Sequence, residues 1–316
     1  MIGTRLKQPG VPEKIQEAAM KRRFITSFGI VIWILAAGLF AQSVPHGQVL
    51  EGLSMKSKIL GKDVRYAAYL PPDYATSTRK YPVVFLLHGF TDEESAWIQF
   101  GEANLAADRA IESREIPPMI LILPDGGVTW YINDAAGKVR YEDMFVKEFI
   151  PFIDATYRTR PKKEFRGVAG LSMGGWGALV YALKHQNMFT ACVAFSAGIR
   201  TDEEFVGRPD SEFDYVYSDL FGEKLRGQAR LSEHYRKNNP FDIVKNQPPD
   251  SLKSVRILLD CGDDDFLTAG NAMFHLLLRE RGIPHEYRVR DGEHSRAYWR
   301  TGITDGLKFI GASFNR

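Results

Sequence analysis

The chain has 316 residues, 44% hydrophobic and 25% charged, an ordinary globular composition with enough apolar residues for one large core. Its 41 Lys and Arg against 39 Asp and Glu leave a formal net charge of +2, which excludes the strongly basic field that drives nucleic-acid binding. The two cysteines, Cys192 and Cys261, lie in the apolar runs "ACVAF" and "ILLDCG" and read as reduced core thiols. No CxxC or Cys/His cluster is present, so neither a structural metal nor any other cofactor is expected.

In chain order, "KRR" at 21–23 precedes 18 uncharged residues, "FITSFGIVIWILAAGLFA", and then the small polar "QSVPHG". A basic flank, an apolar stretch and small residues predict an export signal over 1–43, cut after Ser43. An uncleaved membrane anchor through 24–41 is the alternative. Either way the rest of the chain, 44–316, is expected outside the cytoplasm, periplasmic or secreted, or held at the membrane with its domain outside.

Beyond residue 44, "GQVLEGLSMKSKIL" and "KDVRYAAYLPPDY" predict two antiparallel strands around "LGK". "YPVVFLLHG", "PMILILPDGG", "FRGVAGLS", "FTACVAFSAG" and "VRILLDCG" are continuous apolar runs, as expected for strands buried on both faces. "HEYRVRDG" predicts a last strand. Helical periodicity falls between them, in "SAWIQFGEANLAADRAIESREI", "YEDMFVKEFIPFIDATYRT", "MGGWGALVYALKHQ", "AGNAMFHLLLRERG" and "RAYWRTGITDGLKFIGASF". The alternation predicts an α/β fold, a mostly parallel sheet with helices on both faces. Residues 200–248, polar and aromatic with weak helical patches, predict an insertion over the sheet edge.

"GLSMG" places Ser172 between glycines, after a short strand and before an apolar helix. A sharp strand-to-helix turn lifts a serine hydroxyl out of the sheet edge, and the helix N-terminus favours developing negative charge there. A serine nucleophile needs a base and an orienting acid, in the order Ser…Asp/Glu…His. His275 falls inside a helical stretch and His285 opens a strand, so His294, in the loop "DGEHSRAYW", is the expected base. The acid is expected in "DCGDDDFL", where spacing alone does not separate Asp263, Asp264 and Asp265. The amide of Met173 and that of Phe90, in "LLHGF", are the expected oxyanion donors. His88 is expected to brace that loop.

These stretches, with "YLPPDY", "YEDMFVKEFIPFIDATYRT" and "EHSRAYWR", resemble the Putative esterase family of α/β-hydrolases over about residues 48–312. Formylglutathione hydrolases and tributyrin, feruloyl and acetyl-xylan esterases belong to it, as do mycolyltransferases. The resemblance implies an α/β-hydrolase fold and a serine carboxylesterase with Ser172 as nucleophile and His294 as base. It selects Asp265, just before Phe266-Leu267, as acid, and implies Phe90 and Met173 as oxyanion donors. One departure is Glu293, where family members often have glycine.

Short-chain esters, or acetyl and feruloyl esters linked to carbohydrate, are the expected substrates. Trp97, Trp130 and Tyr131 are expected to line the substrate pocket, with Tyr215 and Tyr217 of the insertion as further candidates. Acyl transfer to an alcohol and a non-catalytic carbohydrate-binding role are the alternatives.

Overall fold

The computed structural model describes residues 46–314. The expected export signal or anchor lies outside these residues. Among the described residues, no helix is long and apolar enough to cross a membrane.

Eight strands form one sheet: β1 (Gln48–Lys56), β2 (Asp63–Leu70), β3 (Val83–Leu87), β4 (Ile120–Pro124), β5 (Arg166–Leu171), β6 (Ala191–Phe195), β7 (Arg256–Gly262) and β8 (His285–Arg290). Their order is β1-β2-β4-β3-β5-β6-β7-β8. The first hairpin joins β4 antiparallel; every pairing from β4 through β8 is parallel. β5 therefore lies inside the sheet, between β3 and β6, and its carboxyl end opens where sites form in such folds.

Both faces of the central strands are dry, which explains why their sequences do not alternate with polar residues. Val83, Phe85 and Leu87 pack with Phe145, Phe149, Leu179 and Phe274 on one face. Val84 and Leu86 pack with Ala106, Ala107, Ile303 and Ile310 on the other. The covering helices are α1 (Ala103–Glu112), α2 (141–156, with a π-helical turn at Phe145–Phe149), α3 (Met173–Lys184), α8 (Thr268–Glu280) and α9 (Arg296–Gly311). The expected helix over 95–116 is broken. A single turn, Ala96–Gln99, precedes α1, and Glu102 between them adopts φ 50°. Gly101 permits the break, since a Cβ there would sit 2.6 Å from the Trp97 ring. Cys192 and Cys261 are buried and free, in β6 and β7.

The insertion folds as α4 (Asp202–Val206), α5 (Asp210–Phe221), α6 (Glu233–Asn238) and α7 (Pro240–Asn246). Thr201 and Glu204 close a capping box on α4, and the Asn239 side chain caps α7 ahead of Pro240. Its inner faces bury Phe205, Phe213, Tyr217, Phe221 and Tyr235, with Phe205 stacked on Tyr235 at 4.1 Å. Each such ring contributes roughly 2–3 kcal/mol by leaving water, enough to hold short helices that propensity alone would not. The cluster rests on Trp130 through Tyr217, 5.0 Å between centroids, and Trp130 in turn meets Trp176 of α3.

Candidate active site

Ser172 follows β5 and caps α3 with φ 54° and ψ −116°. That region is unfavourable for a residue with a Cβ, by roughly 1–3 kcal/mol, and here the surroundings enforce it. The Ser172 N–H donates to Phe195 O and its carbonyl accepts from Gly198 and Trp176. A Cβ at Gly174 would collide with the carbonyl of Leu87, and one at Gly89 would lie 2.7 Å from the Leu171 side chain and 3.7 Å from the Ser172 Cβ. The motif glycines thus let β3, β5 and α3 approach until the serine stands at the sheet edge.

His294 follows β8. Its Nε2 is 3.0 Å from Ser172 Oγ, and its Nδ1 is 2.9 and 3.1 Å from the two oxygens of Asp265. An ionised carboxylate only accepts, so Nδ1 carries the proton and Nε2 is free to accept from the serine hydroxyl. Asp265 is the buried member of its acidic run, 4% exposed, whereas Asp263 and Asp264 are exposed. Burial raises the Asp265 pKa, but hydrogen bonds from His294, the Ser196 hydroxyl and the Leu267 amide outweigh it, and the carboxyl stays below its usual range.

The neighbours of Asp265 have other work. Asp263 Oδ1 accepts from Gly292 N–H at 3.0 Å and from Asp264 N–H at 3.1 Å, tying the acid loop to the histidine loop. Asp263, Asp264 and Asp291 are the one carboxylate group among the described residues close enough to gather a cation, and all three are exposed. Glu293 is exposed as well.

Met173 and the loop that carries Phe90 both border the serine. Met173 opens α3, and Phe90 follows Gly89, whose own position lies over Ser172. His88 is 1% exposed and braces this loop. Its Nε2 accepts from Gly126 N–H at 2.8 Å, which leaves Nδ1–H to donate to Gly89 O at 2.8 Å. With both ring nitrogens engaged, His88 has none to offer as a base.

The aromatic expectations need correction. Trp97 and Tyr131 are 1% and 0% exposed and present no face to a substrate. Trp97 donates to Leu87 O at 2.9 Å and Tyr131 donates to His88 O at 3.0 Å, so both support the Phe90 loop from beneath. Tyr217 is buried too. Trp130 comes closer to the site: a Cβ on Gly198 would lie 2.7 Å from its ring and 3.3 Å from Ser172 O. Tyr215 is 73% exposed and its ring meets Phe90 edge-on at 5.8 Å, bringing the insertion to the mouth. Phe266, 61% exposed, lies on His294 at 4.5 Å.

Sequence reasoning missed Ser196 and Trp299. The Trp299 indole donates to Ser196 Oγ at 3.0 Å, the Ser196 hydroxyl reaches Asp265, and the Trp299 ring stands edge-on to His294 at 4.8 Å. Nothing local marks them; tertiary packing joins β6 to α9.

The parallel sheet, the serine elbow and the Ser172–His294–Asp265 chain define an α/β-hydrolase. The family model described as Putative esterase matches residues 57–310, and the chain belongs to that family. An esterase of Mycobacterium tuberculosis is 32% identical over 249 residues, 71% of this chain. The chain spans about half of that relative, 51%. An acetyl esterase of Caldicellulosiruptor saccharolyticus is 24% identical, over 82% of this chain and 96% of its own. Among solved structures, a ferulic acid esterase superposes with a TM-score of 0.74 at 30% identity, covering 85% of this chain and 99% of its own.

Proposed function

We propose that the chain is a serine carboxylesterase working through an acyl-enzyme on Ser172. One observation carries this: the serine hydroxyl, held at a strained elbow, lies 3.0 Å from a histidine whose far nitrogen is bonded to a buried carboxylate.

His294 Nε2 takes the Ser172 proton as Oγ attacks the ester carbonyl. The Phe90 and Met173 amides receive the oxyanion, each typically worth about 3 kcal/mol to the transition state. His294 then protonates the departing alkoxide. Water enters, gives its proton to His294 and releases the acid from Ser172. Asp265 holds the tautomer and stabilises the imidazolium.

For substrate we infer short-chain acyl esters, with acetyl or feruloyl groups on carbohydrate as the biological form; the acetyl esterase and ferulic acid esterase relatives support this reading. The basic-then-apolar segment at 21–41 supports export, or anchoring with the domain outside. A side-by-side panel of p-nitrophenyl acetate, longer aliphatic esters, acetyl-xylan and methyl ferulate tests the substrate class. Turnover of acetyl or feruloyl esters above that of long aliphatic ones is expected. A preference for long aliphatic chains would contradict the carbohydrate assignment.

A further inference from the structure

Five arginines belong to residues 200–248. Arg208 meets Glu212, Arg226 meets Asp210 and Asp214, Arg230 meets Asp210, and Arg236 meets Asp202 and Asp242. Arg200 alone among these five has no carboxylate within 4.0 Å among the described residues. It is half-buried, so its charge is partly removed from water with no counter-charge beside it, an arrangement that favours an incoming anion.

Its location ties it to the reaction. Arg200 lies two residues beyond Gly198, whose N–H is bonded to Ser172 O. Its guanidinium lies 5.4 Å from the centre of Phe266, the ring that covers His294. On its other side it bonds the hydroxyl of Tyr217. Arg200 and Trp130 both line a cavity of about 10 Å³ with Trp176 and Gly198, room for roughly one water. Two buried donors there, Arg200 Nε and the Trp130 indole N–H, find no acceptor among the described residues. Unpaired buried donors are uncommon and ask for an explanation. The cavity suits a water serving both donors, which leaves the missing counter-charge to come from the Phe266 side of the guanidinium, beside His294.

We propose that Arg200 is a specificity-determining residue that binds a carboxylate on the ester substrate. The planar guanidinium fork matches a carboxylate in two parallel hydrogen bonds. The inference rests on Ser172 being the nucleophile. It narrows the substrate class to esters carrying a free acid group on the acyl or the alcohol side.

Two matched pairs test it: p-nitrophenyl hemiadipate against p-nitrophenyl hexanoate for the acyl side, and 4-acetoxybenzoate against its methyl ester for the alcohol side. The readout is the ratio of kcat/KM for the charged ester to that for the neutral one. The ratio is expected to exceed one in at least one pair and to fall about tenfold in Arg200→Gln, mainly through KM. Arg200→Lys, which keeps the charge and loses the fork, should recover part of it, and added salt should lower the wild-type ratio. A ratio below one in both pairs for the wild type would overturn the proposal. So would an equal loss on charged and neutral esters in both variants, which is the pattern of a packing residue. If wild-type protein hydrolyses none of the four esters, the esterase reading itself fails, which is a different result.

Discussion

At the Ser172 turn, main-chain groups make the structure: carbonyls of Leu87 and Phe195, amides of Ser172 and Gly198, and glycines where any Cβ would collide. Across 200–248, side chains make it: a cluster of five buried aromatic rings and a set of arginine–carboxylate pairs. The turn permits almost no change because backbone cannot repack. The insertion can exchange one ring or ion pair for another and still cover α3. On the function proposed above, chemistry belongs to the region of committed backbone and selectivity to the region of exchangeable side chains. The two regions meet at Tyr215 over Phe90 and at Arg200 beside Phe266.

The sharpest way to break this contrast is at the turn. Ser172→Ala should lower p-nitrophenyl acetate hydrolysis by about 10⁴-fold or more with an unchanged thermal midpoint; retained turnover would separate the elbow from the chemistry. Next, Asp265→Asn should lower kcat by roughly 10³- to 10⁴-fold, because a neutral amide does not stabilise the imidazolium and its NH2 favours the wrong His294 tautomer. Asp263→Asn and Asp264→Asn should stay within about threefold in kcat, as expected of exposed groups. Equal losses at all three would make the acidic loop a unit rather than a support for one carboxylate.

Gly174→Ala tests the main-chain half directly. Its Cβ would collide with backbone of β3, so a loss of about 3 kcal/mol or more in urea unfolding is expected. A comparable truncation in the insertion, Tyr215→Ala, removes an exposed ring and should change stability by less than about 0.5 kcal/mol. The opposite ranking would reverse the comparison.

A smaller effect comes from Asp125, beneath the Phe90 loop. Burial raises its pKa, but hydrogen bonds from the Gly127 amide and Arg65 hold it below the usual carboxylate range. His88 gives it no hydrogen bond, since Nε2 accepts from Gly126 N–H and Nδ1–H donates to Gly89 O. A carboxylate depressed on folding stabilises the folded state above its unfolded pKa, and that stability is lost as pH falls through the folded value. Asp125→Asn should therefore be less stable than wild type by about 1 kcal/mol at pH 7. The gap should close as pH falls below about 4 and acid protonates the wild-type side chain. A gap of the same size at pH 2 would show that Asp125 acts through packing instead.

The parallel sheet was legible because its strands are buried on both faces and so appear as unbroken apolar runs between helical periods. Ser172 and His294 were legible for a related reason: an elbow needs glycines at fixed spacing, and a base needs a loop after a late strand. Asp265 was not separable from Asp263 and Asp264 by spacing, because the distinction is burial, and residues two apart in one turn share the same local pattern. Trp97 and Tyr131 looked like pocket walls because an aromatic side chain near a site motif has the same sequence signature whether it points to substrate or to core. Their indole and phenol groups brace the Phe90 loop instead. Ser196 and Trp299, 103 residues apart, meet only in the folded chain, and no local period marks them.

The central claim is that Ser172 alone is activated as a nucleophile. A fluorophosphonate probe with intact-mass detection on folded wild-type protein and on Ser172→Ala tests it most directly. One adduct per wild-type chain, mapped to Ser172 and absent from the variant, is the predicted result. No adduct on the wild type, or equal labelling of both proteins, would contradict it.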